Sequence, residues 1–301
     1  MAEYSVRHLT HYTYEKPVSH CLNLAHLCPD SDDRQTCREL RITVEPKPKL
    51  TEFRRDYFGN TVYSFSVEDP HTVLSVLAEA KVRTSSPVQD FGNSPTGYEV
   101  LDRLRKPSSN SDLEAVEFLG DSPFVSRAEV YSEFLKRLIP MDRPFLESCL
   151  EYVRRFREEF KFKAGSTTIY TPLEEVLESR EGVCQDFTHL SLAAFRSMGF
   201  PCRYVSGYIE TYPPPGKPKL RGSDATHAWI SVYCPGFGWQ DFDPTNGKGI
   251  TEEYIHTSIG RDFSDVSPLR GILFGGGKHK LKVEVDVIPL NEDSESLSKD
   301  R

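Results

Sequence analysis

An alternation of apolar and polar residues runs through the first 85 positions, and it restricts the possible fold more than any other feature of this chain. Residues 4–14 place Tyr, Val, His or Thr at every second position. A period of two is that of a β-strand, whose alternate side chains share one face. Residues 40–44 repeat the alternation, and residues 59–60 (Gly-Asn) separate two β-rich segments in the manner of a hairpin turn. The first part of the chain is therefore predicted to be a small antiparallel β domain.

A different periodicity follows a segment rich in Ser, Pro, Gly and Asn at residues 86–110, which we interpret as a linker. Beyond this linker, apolar residues recur at the spacing of helices. Helix starts are predicted at Ser111 and Ser126, and a further helix is predicted over residues 143–160. Residues 171–174 (TPLE) have the composition of a capping box with Thr as the N-cap, which predicts another short helix.

Strand-like segments return after these helices and end in a strict alternation at residues 281–287. We therefore predict an α+β fold with two domains. The first is a β-sandwich-like domain of residues 1–105, and the second is a mixed domain of residues 106–290 with a helical lead-in. Residues 291–301 are polar and charged, so a disordered tail is predicted there.

Charge and cysteine content exclude several classes of protein. The formal net charge is −8 with acidic and basic residues interspersed, so neither a nucleic acid nor a membrane is expected as a partner. No apolar run approaches the ~20 residues of a membrane span, and the N-terminus lacks the apolar stretch of a secretory signal. A cytoplasmic protein is therefore expected. Its seven cysteines are predicted to be reduced, because their number is odd and no pair has CxxC spacing. The Cys/His spacings indicate no metal site, and no cofactor is predicted.

One cysteine occupies an unusual position, in the segment EGVCQDFTHLSLAAF at residues 181–195. Cys184 follows a glycine-containing turn and precedes apolar residues at helical spacing, with a predicted helix end at Gly199. The first turn of a helix has unpaired N–H groups and a partial positive charge, and both favour a thiolate. Cys184 is therefore the candidate nucleophile, whereas the other six thiols are expected to be small core residues. Core packing is the alternative for Cys184 as well.

A reactive thiol also needs a base, a group that orients the base and donors for the developing oxyanion. His227 begins the strand-like run HAWISVY, and Asp243 follows 16 residues later, after the segment GFGWQDF. If the two runs form neighbouring antiparallel strands, the carboxylate can accept the ring N–H of the histidine. Asp241 is an alternative on the same face of the strand. Asn246 is a weaker alternative, because it fits a turn.

The segment GVCQDFTHLSLAAFRSMGFPCRYVSGY, followed by THAWISVYCPGFGWQDFDPTNG, resembles the bacterial transglutaminase-like proteins of the papain-like cysteine enzyme superfamily. The opening YSVRHLTHYTYEKPV is similar to the N-terminal β domain of that family, and GRDFSDVSPLRGILFGGG is similar to the segment that follows its core. The resemblance implies an N-terminal antiparallel β domain and a papain-like core, in which the helix carrying the nucleophile packs on an antiparallel sheet. It places the nucleophile at Cys184, the base at His227 and the orienting acid at Asp243.

Residues close to these three in the sequence are expected to support them. His189 lies about 140° around a helix from Cys184, so a packing role is expected for it rather than that of the base. Asp186 is expected to complete the N-terminus of the helix. Trp229 and Trp239 are expected to pack in the core, with an aromatic wall that binds the substrate as the alternative.

Two groups are candidate donors to the oxyanion, namely the backbone N–H of Cys184 and the hydroxyl of Tyr170. Residues 212–224 (YPPPGKPKLRGSD) are interpreted as a mobile loop close to the predicted site. The basic residues of this loop are expected to be solvated, with contact to an acidic peptide as the alternative.

Together these residues predict a thiol-dependent enzyme that cleaves or transfers acyl groups at amide bonds of peptides or proteins, through a thioester on Cys184. Hydrolysis is favoured, because water is present at ~55 M and no site for an acceptor amine is recognisable. Transglutaminase-type transfer to amines is one alternative, and a non-catalytic peptide-binding module that retains the fold is another. The eukaryotic crosslinking enzymes of this superfamily use calcium and extra β domains, which are not expected here. The sequence predicts no oligomeric state.

Overall fold

The computed structural model describes residues 1–87, 90–211 and 224–290 of the 301-residue chain. The predicted disordered tail at residues 291–301 lies outside the described residues, as does nearly all of the predicted mobile loop at residues 212–224 with its three basic residues. Within the described ranges, none of the helices combines the length and the apolar character needed to cross a bilayer.

The described residues form two main antiparallel sheets and a set of helices. The strands are β1 (Ala2–Ala25), β2 (Gln35–Glu45), β3 (Leu50–Arg55), β4 (Thr61–Val67), β5 (His71–Thr84), β6 (Lys161–Phe162), β7 (Glu181–Gly182), β8 (Cys202–Ile209), β9 (Thr226–Cys234), β10 (Gly238–Asp243), β11 (Lys248–Gly249), β12 (Tyr254–Gly260), β13 (Leu269–Gly275) and β14 (His279–Pro289). The α-helices are α1 (Gly97–Arg105), α2 (Asn110–Val116), α3 (Glu129–Leu138), α4 (Phe145–Glu159), α5 (Leu173–Ser179), α6 (Cys184–Met198) and α7 (Phe263–Val266).

Seven strands form the first sheet, here called the N-terminal sheet, and the 24-residue strand β1 lies at its centre. The first half of β1 lies between β5 and β14, and its second half lies between β4 and β13. The register with β5 shifts between Thr13 and Val18, where the two halves meet. Tyr4 and Val6 are buried at alternate positions, as the sequence predicts. The predicted hairpin turn at residues 59–60 connects β3 to β4.

The boundary between the two parts of the chain differs from the prediction. Strands β13 and β14, at residues 269–289, pair with β1 and belong to the N-terminal sheet, although they fall in the predicted second domain of residues 106–290. Conversely, Phe91 and Val100 fall in the predicted first domain of residues 1–105 but pack in the core around α6. The prediction is wrong here because alternation within a strand does not indicate which distant segment will pair with it.

The second sheet, here called the core sheet, has five antiparallel strands in the order β11-β10-β9-β8-β12. Helix α6 packs against β8 and β9. Its apolar side chains share one hydrophobic core with Ala228, Ile230 and Val232, which alternate along β9. Helix α3 packs against α6. Helix α4 contributes Tyr152 and Phe156 to the same core. The α+β architecture predicted from the sequence is confirmed.

A glycine allows three strands of the core sheet to pack closely. Gly207 of β8 lies opposite His227 of β9. A Cβ atom at position 207 would stand 2.1 Å from the backbone oxygen of Ile255 in β12 and 2.7 Å from the Trp229 ring. Any larger residue at this position would therefore displace β12 from β8.

Helix ends follow the sequence in one case and not in another. Helix α6 begins at Cys184 and ends before Gly199, as predicted. Gly199 has a φ of 92°, in the left-handed region that favours glycine. The prediction of Thr171 as the N-cap of α5 is wrong, because Pro172 occupies that position. The Thr171 hydroxyl instead accepts the backbone N–H of Thr168, so it stabilises the preceding turn.

Buried polar contacts connect the two sheets. His8 of β1 makes a 3.0 Å hydrogen bond through Nδ1 to the hydroxyl of Tyr208 in β8. Burial lowers the pKa of His8 to about 4, so this ring is neutral at pH 7. The side chain of Gln35 bonds both the backbone N–H and the backbone oxygen of His256, at 3.0 Å and 2.9 Å. These bonds fix the N-terminal sheet against β8 and β12.

Candidate active site

Cys184 is the first residue of α6, and the carboxylate of Asp186 stabilises the start of this helix. Asp186 Oδ2 accepts the backbone N–H of Val183 at 2.8 Å and the hydroxyl of Thr167 at 2.6 Å. Burial raises the pKa of Asp186, although these two hydrogen bonds oppose the shift. The predicted role of Asp186 at the helix N-terminus is therefore confirmed, and the carboxylate is directed toward the residue before the helix.

The exposure of Cys184 distinguishes it from most other thiols of the chain. Cys184 and Cys37 are partly exposed, whereas the other five cysteines are buried. Burial raises the pKa of thiols such as Cys149 and Cys202, which lie in the core around α6. Cys149 and Cys202 are packing residues, as predicted, whereas Cys184 is partly exposed.

His227 lies near the start of β9 between a sulfur and a carboxylate. Its Nε2 atom is 2.7 Å from Asp243 Oδ2 on the neighbouring strand β10. The Cys184 side chain also lies close enough to the ring to raise its pKa. Because Nε2 is bonded to Asp243, Nδ1 is the nitrogen left for the sulfur. The structure therefore brings together the three residues that the sequence singles out.

The electrostatic surroundings of His227 favour its protonated form. Burial alone would lower the pKa of this imidazole, but the charge and hydrogen bond of Asp243, together with Cys184, raise it to about 10. An imidazolium next to a thiol stabilises the thiolate. The charges around the ring thus favour an imidazolium beside Cys184.

Asp243 is completely buried, and both carboxylate oxygens accept hydrogen bonds. Oδ2 accepts from His227, from the Tyr254 hydroxyl at 2.7 Å and from Asn246 Nδ2 at 2.6 Å. Oδ1 accepts the backbone N–H groups of Thr245 and Asn246. Burial alone would raise the pKa of Asp243, but His227 and the side-chain donors hold it below its usual value. Asp243 is therefore an anion with a fixed orientation.

The two sequence alternatives to Asp243 have other positions. Asp241 does not contact His227, because its Oδ2 accepts Trp229 Nε1 at 3.0 Å and lies 3.7 Å from Arg34. Asn246 donates to Asp243 and so helps to orient it. Tyr254, which bonds Asp243, was not predicted from the sequence. It belongs to β12, an edge strand of the core sheet. No local sequence pattern indicates the role of Tyr254, because its bond to Asp243 depends on the assembly of the whole core sheet.

The side chain of Trp229 packs inside the protein. The residue is 0% exposed, and its ring lies 5.4 Å from that of Tyr254, centre to centre. The alternative of an aromatic wall is therefore wrong for Trp229, and the packing interpretation is confirmed. Trp239 is partly buried and contacts Phe118, with the guanidinium of Arg203 4.3 Å above its ring. It lines a cavity of about 390 Å³ that does not include the three site residues, and a substrate-binding role for Trp239 stays a prediction.

His189 and Tyr170 lie on a different cavity of about 400 Å³, which also includes Phe124 and Asp186. His189 stacks on Phe124, and its Nε2 accepts the backbone N–H of Phe263 at 3.2 Å. Burial lowers the pKa of His189 to about 4, so it is a neutral packing residue, as predicted. Tyr170 is largely exposed, and its role as an oxyanion donor stays a prediction. The described residues contain no group of His, Cys, Asp or Glu arranged to hold a metal ion.

A thiol at the start of a helix, with an imidazole and a carboxylate on the adjoining antiparallel sheet, defines a papain-like cysteine site. Comparison with known families agrees with this class. Residues 140–244 match the transglutaminase-like superfamily, and residues 4–83 match the bacterial transglutaminase-like N-terminal region. The chain therefore belongs to the transglutaminase-like superfamily and has its bacterial N-terminal region.

Relatives of similar length occur in mycobacteria. The uncharacterized protein Rv2569c of Mycobacterium tuberculosis is 36% identical over 97% of this chain and 94% of its own length. The uncharacterized protein ML0607 of Mycobacterium leprae is 33% identical over 95% of this chain and 98% of its own length. Among solved structures, a protein from Cytophaga hutchinsonii described as a candidate cysteine protease has a TM-score of 0.74 at 18% identity, covering 97% of this chain and 92% of that one. At this low identity, the similarity to the Cytophaga hutchinsonii protein shows a shared fold.

Proposed function

We propose that this protein is a thiol-dependent enzyme that attacks amide bonds of peptides or proteins, with Cys184 as nucleophile, His227 as base and Asp243 as orienting acid. The observation that carries the proposal is the position of the His227 ring. Its Nε2 is bonded to Asp243 at 2.7 Å, and Cys184 lies close enough to raise the pKa of the ring. Membership of the transglutaminase-like superfamily supports this assignment.

The reaction follows from the charges of these groups. The Cys184 thiolate attacks the carbonyl carbon, and the carbonyl oxygen becomes an oxyanion close to the backbone N–H of Cys184. That N–H lies in the first turn of α6, where backbone donors have no acceptor within the helix. His227 transfers its Nδ1 proton to the leaving amine, which departs and leaves a thioester on Cys184. Neutral His227 then takes a proton from the attacking water, and Cys184 leaves as the thiolate when the acid is released.

Asp243 keeps the imidazole in this cycle in one orientation. The Asp243 carboxylate stabilises the imidazolium and accepts the N–H at Nε2, so Nδ1 stays directed to the sulfur. Tyr254 and Asn246 in turn hold the carboxylate, which leaves it no freedom to rotate away from His227. A rigid base of this kind lowers the cost of reaching the geometry for proton transfer.

Hydrolysis is the favoured outcome for the thioester, because water is present at ~55 M and an amine would need a site of its own. Transfer of the acyl group to an amine is the second candidate, and the superfamily to which the chain belongs supports it. A non-catalytic peptide-binding module is the third. The complete set of thiol, imidazole and carboxylate argues against it, since binding alone requires none of them.

Alkylation of the thiol tests whether the site is reactive. Wild-type protein is treated with iodoacetamide at pH 5.5, and labelling of Cys184 is followed by mass spectrometry. We expect Cys184 of the wild type to be labelled at least about 10-fold faster than in His227→Ala, because a neighbouring imidazolium stabilises the negative charge of the attacking sulfur. Cys37→Ser removes the other partly exposed thiol and serves as the control, with no change at Cys184. Equal rates in wild type and His227→Ala would exclude the enzyme proposal.

A peptide library then distinguishes the reactions. Wild type and Cys184→Ala are incubated with the library, with and without added primary amines, and product masses are read. Fragments that have gained one water indicate hydrolysis, and adducts that have gained the amine with loss of ammonia or of a peptide fragment indicate transfer. Binding of peptides without any product in the wild type would favour the non-catalytic module.

A further inference from the structure

The edges of the N-terminal sheet differ in how well they are protected. In the described part of the chain, β2, β3 and β13 each pair with a strand on one side only, and β14 adds a single bridge at Asp224. Strand β2 carries four charged residues, β3 carries three and β14 carries four. Charges on an edge strand prevent it from pairing with another chain. Strand β13, with the sequence LRGILFG, carries one charge, at Arg270.

Strand β13 also exposes its apolar side chains. Ile272 is 68% exposed and Phe274 is 54% exposed, and Leu273 is exposed as well. Among the described residues, β1 is the one strand that pairs with β13, so the outer edge of β13 presents free backbone groups beside these side chains. An exposed, apolar and nearly uncharged edge strand is a template for pairing with a further strand.

We propose that β13 is a dimer interface, at which it pairs antiparallel with β13 of a second copy of this chain. The two N-terminal sheets then form one continuous sheet across a two-fold axis. Antiparallel pairing of identical strands is self-complementary, so it closes at two copies and leaves no β13 edge free. The interface lies on the N-terminal sheet, away from Cys184, and it is independent of the proposed chemistry.

The single charge on β13, at Arg270, favours a second copy of this chain as the pairing strand. It also determines which residues of the two copies lie opposite each other. A two-fold axis at Ile272, the middle residue of the strand, places Arg270 of each copy opposite Phe274 of the other. Each arginine then lies opposite a phenylalanine instead of another cation. An axis at Arg270 would oppose two like charges. The net charge of −8 makes most of the remaining surface repulsive between copies, whereas this strand carries no acid.

Sedimentation equilibrium of the full chain tests the proposal. We expect the wild type to be a dimer and Ile272→Lys to raise the dissociation constant on the order of a hundred-fold, because two ammonium groups would meet at the axis and apolar contact would be lost. Leu50→Lys is the matched control. Leu50 is 67% exposed on the charged edge strand β3 of the same sheet, and its substitution is expected to leave the dimer intact. Circular dichroism verifies that both variants fold.

A crosslinking experiment tests the register. Ile272→Cys places two thiols opposite each other across the axis, so mild oxidation is expected to give a covalent dimer. Phe274→Cys faces Arg270 of the second copy and is expected to give none. A monomeric wild type at all concentrations, a dimer unaffected by Ile272→Lys, equal dissociation by Leu50→Lys, or a wild-type dimer without the Ile272→Cys crosslink would each overturn the proposal.

Discussion

Tyr254 donates its hydroxyl to the same Asp243 oxygen that binds His227, and both bonds are 2.7 Å long. The two donors come from different strands of the core sheet, β12 and β9. The carboxylate between them is completely buried, so the loss of either donor is not compensated by solvent.

Tyr254→Phe is expected to lower the free energy of unfolding by about 1–3 kcal/mol, because it removes a donor from a buried anion. Urea unfolding measures the change. Tyr98→Phe is the control, since Tyr98 is exposed, and a change within about 0.5 kcal/mol is expected for it. An equal effect of the two substitutions would contradict the importance of the Tyr254 hydroxyl.

Asp243→Asn is expected to slow alkylation of Cys184 at pH 5.5 by roughly 10-fold or more. The neutral amide no longer raises the pKa of His227, so the thiolate loses its imidazolium at lower pH. The rate of iodoacetamide labelling as a function of pH gives the result. Asp241→Asn, on the same strand, is expected to have a much smaller effect, because Asp241 contacts Trp229 instead of His227.

The contribution of His227 to stability is expected to fall as the pH rises. Its pKa is raised from 6.5 in the unfolded chain to about 10 in the folded protein, so the contribution is fully present below pH 6.5 and is lost by about pH 10. The difference in free energy of unfolding between wild type and His227→Gln should therefore narrow by a few kcal/mol over this window. Denaturant titrations at pH 6, 8 and 10 measure it. A difference in free energy of unfolding that widens as the pH rises would contradict a raised pKa of His227 in the folded protein.

Gly207→Ala is expected to destabilise the protein by about 3 kcal/mol or more, because its Cβ would overlap the backbone of Ile255. The displacement of β12 would also move Tyr254 away from Asp243. Thermal unfolding gives the stability. Gly120→Ala is the control, since a Cβ there meets its nearest atom, the oxygen of Glu117, at an ordinary 3.8 Å. Similar melting temperatures for the two variants would contradict the close packing of β8 and β12.

The sequence predicted the elements that depend on local chemistry. The thiol at the start of α6, the glycine after its end and the alternation along β1 each follow from the period or the conformation of a few neighbouring residues. The pairing of His227 with Asp243 was predictable because one short turn separates β9 from β10. The resemblance to a known family supplied the same three residues.

Other features depend on distant segments and could not be predicted in this way. The burial of Trp229 results from the approach of Tyr254, which belongs to a strand on the far side of β8. The hydroxyl of Tyr254 reaches Asp243 only after the core sheet has formed. The same holds for β13 and β14, whose partner β1 lies more than 200 residues earlier in the chain.

The pairing of β1 with β14 affects the order in which the protein can assemble on the ribosome. Tyr4 is opposite Pro289 in the finished sheet, so β1 receives β14 as a neighbour only after all the elements between the two strands have been synthesised. Until then one long side of β1 has no partner and stays open to wrong associations in the nascent chain. Closure across so large a loop is intrinsically slow. The residues around Cys184 therefore have time to fold before the N-terminal sheet is completed.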